Sequence, residues 1–335
     1  MKLSELRELL IAAVRKNLTQ EEAEYFADEV IETDARKRSD GKYSRGLVKD
    51  MRSWKAGSTQ IQKTIDLPGF TQYNFQGLGP SLKLKEIHDE LERKAKANGI
   101  AMISIVNSGG MHAMHLWTQG LAKRGLFALG AWNGGPDAVI PFNGTRGIFG
   151  TNPLTYGFPS DTGEVVVDMA TSEIPFFKIL EAKKTDSQLP PNTAVNNQGE
   201  LTTDPKEAID EQEVSNLVPM GGGYKGYTIN YLIEIMTSAL VGARASSQMS
   251  PAYIETEHGG FIIVIAIDRV TDRANYDATV QSMNEKIRAQ TPKVGVEKVI
   301  VPGDTNLDRK RGISADTEIE VSEEYRTILV ELANQ

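Results

Sequence analysis

The stretch SLKLKEIHDELERKAKANGIAMISIV, residues 81–106, contains the two kinds of element that decide the fold class. Apolar residues recur at helical spacing between Ser81 and Asn98, which predicts an amphipathic helix closed by Gly99. Residues 100–106 are almost continuously apolar, as in a buried strand. A helix followed at once by a buried strand indicates a sheet with helices packed against it.

The same alternation of helices and strands continues along the chain. The first 55 residues are predicted to be mainly helical, and Thr19 and Glu22 have the spacing of a capping box at a helix start. Helical ends around a central sheet indicate an α/β fold of the α+β type. The other predicted elements are strands at Leu126–Trp132, Glu164–Met169 and Phe261–Ile267, and helices at about His112–Arg124, Tyr227–Leu240, Tyr276–Arg288 and Ser322–Ala333.

Composition and charge argue against several classes of protein. The 335 residues carry a net charge of −8 with basic and acidic residues interspersed, so no basic face for nucleic acid is evident. No apolar run approaches the roughly 20 residues that a membrane helix requires, and the first residues begin an amphipathic helix rather than a signal peptide. The absence of cysteine excludes disulfides, thiolate metal sites and cysteine nucleophiles. We therefore expect a cytoplasmic protein with no nucleic-acid or membrane partner.

The segment GGGYKG, residues 221–226, fits the G-x-G-x-x-G pattern of dinucleotide-binding sites at a predicted helix start. The preceding residues form a poor strand that contains Pro219, and no acidic residue ends a second strand about 20 residues later. A Rossmann fingerprint is therefore disfavoured. Two interpretations stay open: Lys225 and the glycine backbone bind a phosphate at a helix N-terminus, or the glycines form a simple turn into the helix.

Four histidines are present, at positions 88, 112, 115 and 258, so a mechanism based on imidazole must use one of them. His112 and His115 are expected on one face of a predicted helix, a spacing at which two imidazoles can share a metal ion. A third ligand is not visible in the sequence. We therefore predict no metal site and favour a half-buried helix face.

A series of short segments, taken together, resembles a known enzyme family. They read Tyr-Ser-Arg-Gly at 43–46, Asn-Ser-Gly-Gly at 107–110, Gly-Thr-Asn-Pro at 150–153, Val-Asp-Met-Ala-Thr-Ser at 167–172, Lys-Gly-Tyr at 225–227 and Pro-Gly-Asp at 302–304. In this order and at these spacings, over almost the whole chain, they are similar to the motifs of the type-2 malate/L-lactate dehydrogenases, the malate/L-lactate/ureidoglycolate/2,3-diketogulonate dehydrogenase family.

The resemblance implies a non-Rossmann fold in which a mixed-sheet domain binds NAD or NADP. It implies a helical domain built from both termini, residues 1–72 with 275–335, and an NAD(P)-binding mixed α/β domain at residues 73–274. It also implies a homodimer and a small-molecule carboxylate substrate. By position, the implied cofactor contacts are Val166, Val167, Asp168, Met169, Ala170, Thr171, Ser172, Tyr224, Lys225, Gly303, Asp304 and Thr305.

The chain departs from the family at the histidines taken as proton donor or acceptor. Arg45 stands where the family has the histidine of Ser-His-Gly, and Gly110 stands where it has the histidine of Asn-Ser-Asn-His. Lys49 replaces an arginine usual four residues after the first histidine. Arginine stays protonated in proteins, so Arg45 is a poor acid, although it can hold a carboxylate or an oxyanion. Ser44, Arg45 and Lys49 are kept as candidate catalytic residues.

Three explanations for the missing histidines stay open. A displaced residue takes over the proton transfer, with His112, His115 and Tyr43 as candidates. Alternatively, the substrate is an imine, because a protonated C=N group accepts hydride without a further proton, although Arg45 would repel it unless a carboxylate lies between. In the third, the protein has lost redox chemistry.

The predicted function is that of an NAD(P)H-dependent oxidoreductase acting on a small 2-oxo, 2-hydroxy or 2-imino acid, which includes ketimine reductases. The alternative is a repurposed member of the family with a non-redox lyase or isomerase activity, or with a ligand-binding role.

Overall fold

The computed structural model describes residues 1–37, 51, 61–111, 113–211, 214–249 and 256–334. Within these residues seven strands form one sheet and two short strands form a separate ribbon. The sheet strands are β1 (Gln62–Leu67), β2 (Phe70–Asn74), β3 (Ile100–Ser108), β4 (Leu126–Trp132), β5 (Leu154–Ser160), β6 (Gly163–Met169) and β9 (His258–Ala266), and the ribbon strands are β7 (Ala194–Val195) and β8 (Leu201–Thr202).

The sheet is mixed, with the strand order β1-β2-β3-β9-β4-β5-β6. Among the described strands, β2 and β3 are parallel and every other neighbouring pair is antiparallel. Strand β9 comes last in the chain and fills the position between β3 and β4, which explains its nearly unbroken apolar run. A doubly wound Rossmann sheet is parallel, so the prediction of a non-Rossmann mixed sheet is confirmed.

Helices from both ends of the chain pack on the sheet. Leu6, Phe26 and Leu329 from these helices share one buried apolar core with Trp117 and Ile262. No helix in the described part of the chain is both long and apolar enough to cross a membrane. The helices are α1 (Leu3–Val14), α2 (Gln20–Lys37), α3 (Leu84–Asn98), α4 (His115–Lys123), α5 (Phe176–Thr185), α6 (Pro205–Ala208), α7 (Tyr224–Thr237), α8 (Ile267–Val270), α9 (Arg273–Arg288), α10 (Asp304–Arg311) and α11 (Glu323–Asn334).

The capping box predicted at the start of α2 is confirmed. The Thr19 main-chain N–H donates to the Glu22 carboxylate at 2.9 Å, and the Glu22 N–H donates to Thr19 Oγ1 at 3.3 Å. The division of the chain at residues 72–73 and 274–275 stays a prediction.

Two predicted boundaries are wrong for identifiable reasons. Helix α4 begins at His115 rather than near His112, and His112 lies outside the described residues. Strand β9 begins at His258, three residues earlier than predicted. The predicted start was too late because glycines usually weaken a strand, and β9 runs through two of them. A Cβ on Gly260 would lie 1.6 Å from a ring carbon of Trp132, so glycine is required there for close packing.

Candidate active site

Several predicted catalytic residues lie outside the residues that the structure describes. These are Tyr43, Ser44, Arg45, Lys49 and His112. Their assignments stay predictions. The predicted cofactor contacts are all described and belong to three segments: β6 with the loop after it, the start of α7, and the start of α10.

The structure brings together a histidine and an aspartate from distant parts of the sequence. His115, the first residue of α4, places Nδ1 3.1 Å from Oδ2 of Asp168 near the end of β6. The side chains are 3% and 8% exposed. The main-chain N–H of Met114 donates to the same Asp168 oxygen at 3.1 Å. A carboxylate on one ring nitrogen orients an imidazole and stabilises its protonated form, which suits it to general acid–base catalysis.

Helix α4 packs closely against the β5–β6 hairpin, and this packing brings His115 next to Asp168. Thr118 Oγ1 on α4 lies 2.8 Å from Thr155 Oγ1 on β5. A Cβ on Gly157 would lie 2.9 Å from the Thr118 main-chain oxygen, so a glycine permits this approach. The close contact brings the N-terminus of α4 over the strand that carries Asp168.

The other ring nitrogen of His115 faces α10. Asn306 Nδ2 lies 3.4 Å from His115 Nε2 and donates to the main-chain oxygen of Val166 at 3.3 Å. Both ring nitrogens of His115 therefore have polar neighbours. Sequence reasoning named His115 among the candidates but did not pair it with Asp168, and it missed Asn306 entirely, because no spacing links residues on three separate elements.

The other described histidines have different surroundings. His88 is fully buried between helices with Nδ1 2.6 Å from the Tyr25 hydroxyl oxygen, and burial lowers its pKa to about 3. His258 places Nδ1 2.9 Å from the main-chain oxygen of Asn133. With so low a pKa, His88 carries almost no imidazolium near pH 7 that could act as a general acid. His115 is the described histidine that carries a hydrogen-bonded carboxylate partner in these contacts.

The start of α10 packs against β6, as the predicted contacts in both segments require. Gly303 has a φ of +94°, and a Cβ there would lie 3.2 Å from Val165 Cγ1. Asp304 accepts a hydrogen bond from Arg288 at 2.7 Å, which lowers the pKa of the Asp304 carboxyl, and another from the Val301 N–H at 2.9 Å. Thr305 is exposed. The Asp304 side chain therefore holds the turn in place.

The loop after β6 is held by its own side chains. Thr171 is buried, donates to the Asn152 main-chain oxygen at 2.9 Å and accepts from Asn230 Nδ2 at 2.9 Å. Ser172 Oγ donates to the Ile174 oxygen at 2.8 Å. Val167, Met169 and Ala170 are half-buried, which leaves part of each side chain accessible to a ligand.

The start of α7 has the features of an anion site. Gly223 is its N-cap and no side chain caps the first turn, so main-chain N–H groups there need partners. Tyr224 and Lys225 are exposed, and a Cβ on Gly221 would meet no atom within 4 Å. A positive side chain beside open N–H groups favours a phosphate.

One carboxylate already occupies part of this region. The Gly221 N–H donates to the Glu173 carboxylate at 2.7 Å. Any phosphate at the start of α7 must therefore bind the amides beyond Gly221, and Glu173 reduces the positive potential there. Sequence reasoning missed Glu173 because its contact depends on a loop pairing between Ser172 and Pro219.

The Gly-Thr-Asn-Pro turn at residues 150–153 is hydrogen-bonded to α7. Asn152 Nδ2 donates to the Glu234 carboxylate at 2.7 Å, and Asn230 Nδ2 donates to the Gly150 oxygen at 3.0 Å. The Ser246 N–H donates to the other Glu234 oxygen at 2.6 Å. These buried contacts hold the helix that carries Lys225 against the loop after β6.

The chain is similar to known enzymes of one family. The family model described as malate/L-lactate dehydrogenase matches residues 1–329. A malate/(S)-sulfolactate dehydrogenase from Methanothermus fervidus is 28% identical over 273 residues, 79% of this chain and 76% of that protein. A Δ1-pyrroline-2-carboxylate/Δ1-piperideine-2-carboxylate reductase from Pseudomonas putida is 31% identical over 217 residues, 62% of each chain.

A solved structure has the same fold. Sulfolactate dehydrogenase from Methanocaldococcus jannaschii gives a TM-score of 0.83 at 22% identity, covering 100% of this chain and 96% of that one. The family match extends over nearly the whole chain, including the segments around Asp168, Lys225 and Gly303. The chain therefore belongs to the malate/L-lactate dehydrogenase family and is an NAD(P)-dependent dehydrogenase or reductase.

Proposed function

We propose that the protein transfers hydride between NAD or NADP and a small carboxylic acid with a 2-oxo, 2-hydroxy or 2-imino group. The observation that carries the proposal is the buried His115–Asp168 pair, with 3.1 Å between Nδ1 and Oδ2. It supplies an imidazole in a chain whose sequence has Arg45 and Gly110 at the family's usual histidine positions. The relatives named above act on malate, sulfolactate and cyclic imino acids, which supports this substrate class.

The proton chemistry follows from the pair. Bound nicotinamide supplies or accepts the hydride. When a 2-oxo acid is reduced, its oxygen gains negative charge and needs one proton, which protonated His115 gives from Nε2. Asp168 stabilises the imidazolium through the Nδ1–H. In the opposite direction, neutral His115 accepts the hydroxyl proton as the hydride leaves. A proton transfer by His115 corresponds to the displaced-histidine explanation.

The charge and the partly accessible apolar surface around β6 support a nucleotide site. The uncapped start of α7 and exposed Lys225 suit a phosphate, and half-buried Val167, Met169 and Ala170 offer apolar surface to a ring. We propose these segments, with the start of α10, as the cofactor site.

We also propose that Arg45 and Lys49 bind the substrate carboxylate, with Ser44 and Tyr43 beside them. A guanidinium can hold a carboxylate through two parallel hydrogen bonds, and a 2-oxo or 2-imino acid always carries that carboxylate. This assignment rests on their place in the sequence motif.

A homodimer is the oligomeric state that we propose. Along α7, Tyr231, Leu232 and Ile235 are 48%, 55% and 40% exposed. Apolar groups aligned on one helix face are typical of surfaces that associate. Light scattering after size-exclusion chromatography should give twice the mass of the chain, and a monomer would contradict this part of the proposal.

The direct test is binding followed by turnover. Purified protein is titrated with NADH and with NADPH, and nucleotide binding is followed by fluorescence. Oxidation of the bound cofactor is then followed by absorbance with a panel of 2-oxo acids and cyclic 2-imino acids. We expect binding of at least one nucleotide and turnover of at least one compound. Binding of neither nucleotide would overturn the proposal and favour a non-redox role.

A further inference from the structure

We propose that Asn306 is a positioning residue that fixes the tautomer of His115, with the proton on Nδ1 and the lone pair on Nε2. The inference deepens the proposed function, because its catalytic consequence requires that His115 transfer the substrate's proton. Asn306 lies in the first turn of α10, directly after the predicted cofactor contacts Gly303, Asp304 and Thr305.

The amide of Asn306 has one orientation that suits both of its neighbours. Its Nδ2 lies 3.3 Å from the main-chain oxygen of Val166 and 3.4 Å from His115 Nε2. A main-chain oxygen can only accept hydrogen bonds, so the NH2 end of the amide must face this side. The second hydrogen of that group then points to Nε2, which must accept it.

The remaining ring contact agrees with this assignment. When Nε2 accepts, neutral imidazole carries its proton on Nδ1, and that N–H donates to Asp168 at 3.1 Å. An ionised carboxylate can only accept, so the opposite tautomer would place two acceptors against each other at Nδ1 and two donors against each other at Nε2. One protonation state therefore satisfies Val166, His115 and Asp168 together.

Asn306 and Asp168 act on the charge of His115 in opposite directions. An amide N–H pointing at Nε2 favours the neutral ring, as does the N-terminus of α4, where His115 stands. Asp168 favours the cation. Several other charged groups on the packed elements form ion pairs, which reduces their net effect on the ring. They are Lys310–Glu164, Lys310–Glu32, Lys123–Glu29, Lys123–Glu32, Arg124–Asp89, Arg288–Asp304 and Arg311–Asp308.

The long Nε2 contact suits an exchange with substrate. At 3.4 Å it is weaker than an ordinary N–H···N bond, so a substrate oxygen can replace Asn306 at the same lone pair. Helix α10 is fixed by the Arg288–Asp304 and Lys310–Glu164 bridges. A nucleotide bound at the start of α10 would therefore contact the same rigid helix that carries Asn306.

Nitrogen NMR tests the proposal without nucleotide or substrate. Long-range proton–nitrogen spectra of 15N-labelled protein at pH 8 distinguish protonated from unprotonated ring nitrogens, and the His115→Gln variant assigns the His115 signals among four histidines. We expect a protonated Nδ1 and an unprotonated Nε2. Asn306→Leu removes the donor at Nε2 while Asp168 still faces Nδ1, so the share of His115 rings protonated on both nitrogens should rise at pH 8.

A charge variant adds a second readout. In Asn306→Asp the carboxylate accepts from an Nε2–H instead of donating, so the midpoint of the His115 titration should rise by at least about 1 pH unit, a tenfold gain in proton affinity. Asn275→Asp adds the same charge at an exposed position of α9 and should move the midpoint by less than about 0.3.

The proposal is overturned if wild-type Nδ1 is unprotonated at pH 8, if both nitrogens are protonated, or if the Asn306→Asp midpoint stays within the control range. Each of these results concerns the resting imidazole alone. The proposed hydride transfer fails separately, if neither nucleotide binds or no acid is turned over.

Discussion

His88 and His115 are both buried on adjacent helices, α3 and α4, but they differ in their partners. His88 Nδ1 faces the Tyr25 hydroxyl at 2.6 Å, and burial lowers its pKa to about 3. His115 Nδ1 faces the Asp168 carboxylate at 3.1 Å. Burial, together with the nearby Arg124 charge, keeps the His88 ring neutral, whereas a buried carboxylate supplies the partner that a protonated imidazole needs.

The largest expected effect is a loss of kcat on substitution of His115 that substitution of His88 does not cause. His115→Asn removes the proposed acid and should lower kcat for 2-oxo acid reduction by about 10²–10⁴-fold, the range typical of general acid–base catalysis. The nucleotide Kd should change by less than about twofold. His88→Gln should retain kcat close to wild type in the folded protein. Equal losses of kcat in both variants would remove the distinction.

The choice of substrate sharpens the role of His115. A protonated cyclic 2-imino acid accepts hydride at carbon and becomes a neutral amine without a further proton, whereas a 2-oxo acid still needs one. The loss of kcat in His115→Asn should therefore be at least about tenfold smaller with the imino acid, measured by nicotinamide absorbance at a pH where the imine is protonated. Equal losses with both substrates would show that His115 does not act by proton transfer.

His88 should affect stability rather than chemistry. Its pKa is about 3 in the folded protein and about 6.5 in an unfolded chain, so the unfolded chain binds the proton more tightly. Stability from this residue is therefore present above pH 6.5 and is lost as the pH falls. Between pH 7 and pH 5 the free energy of unfolding should drop by about 2 kcal/mol through His88. Urea unfolding of wild type and His88→Gln at both pH values measures this, and an identical pH dependence would contradict it.

The smallest expected effect is on nucleotide affinity at exposed Lys225, at the start of α7. Lys225→Met should raise the nucleotide Kd by about tenfold, because one charge-assisted contact at the start of α7 is lost, and should leave kcat nearly unchanged. Lys184→Met on α5 is the matched control at another exposed lysine. If the control raises the Kd as much, then Lys225 has no specific role.

Much of the scaffold could be predicted from local pattern. Strand β4 at Leu126–Trp132 and the capping box at Thr19 follow from apolar runs and end signals that lie within a few residues. The start of β9 could not be predicted so well, because Gly260 is present for the packing of Trp132, which is distant in sequence.

The candidate site was predictable where it rests on motifs and unpredictable where it rests on tertiary contacts. The segments around Asp168, Lys225 and Gly303 were identified by their order along the chain. The pairing of Asp168 with His115 depends on how helix α4 packs on β5 and β6, and the contact with Asn306 depends on α10. Such contacts leave no periodic or local signal.

The most direct test of the central claim is a double-mutant cycle on kcat for 2-oxo acid reduction with His115→Asn, Asp168→Asn and the double variant. If the two side chains act as one unit, the double variant should be no slower than His115→Asn alone, because the carboxylate has nothing to stabilise once the imidazole is gone. If the two single losses of kcat multiply in the double variant, Asp168 acts independently of His115, which contradicts the proposal that the two side chains act as a pair.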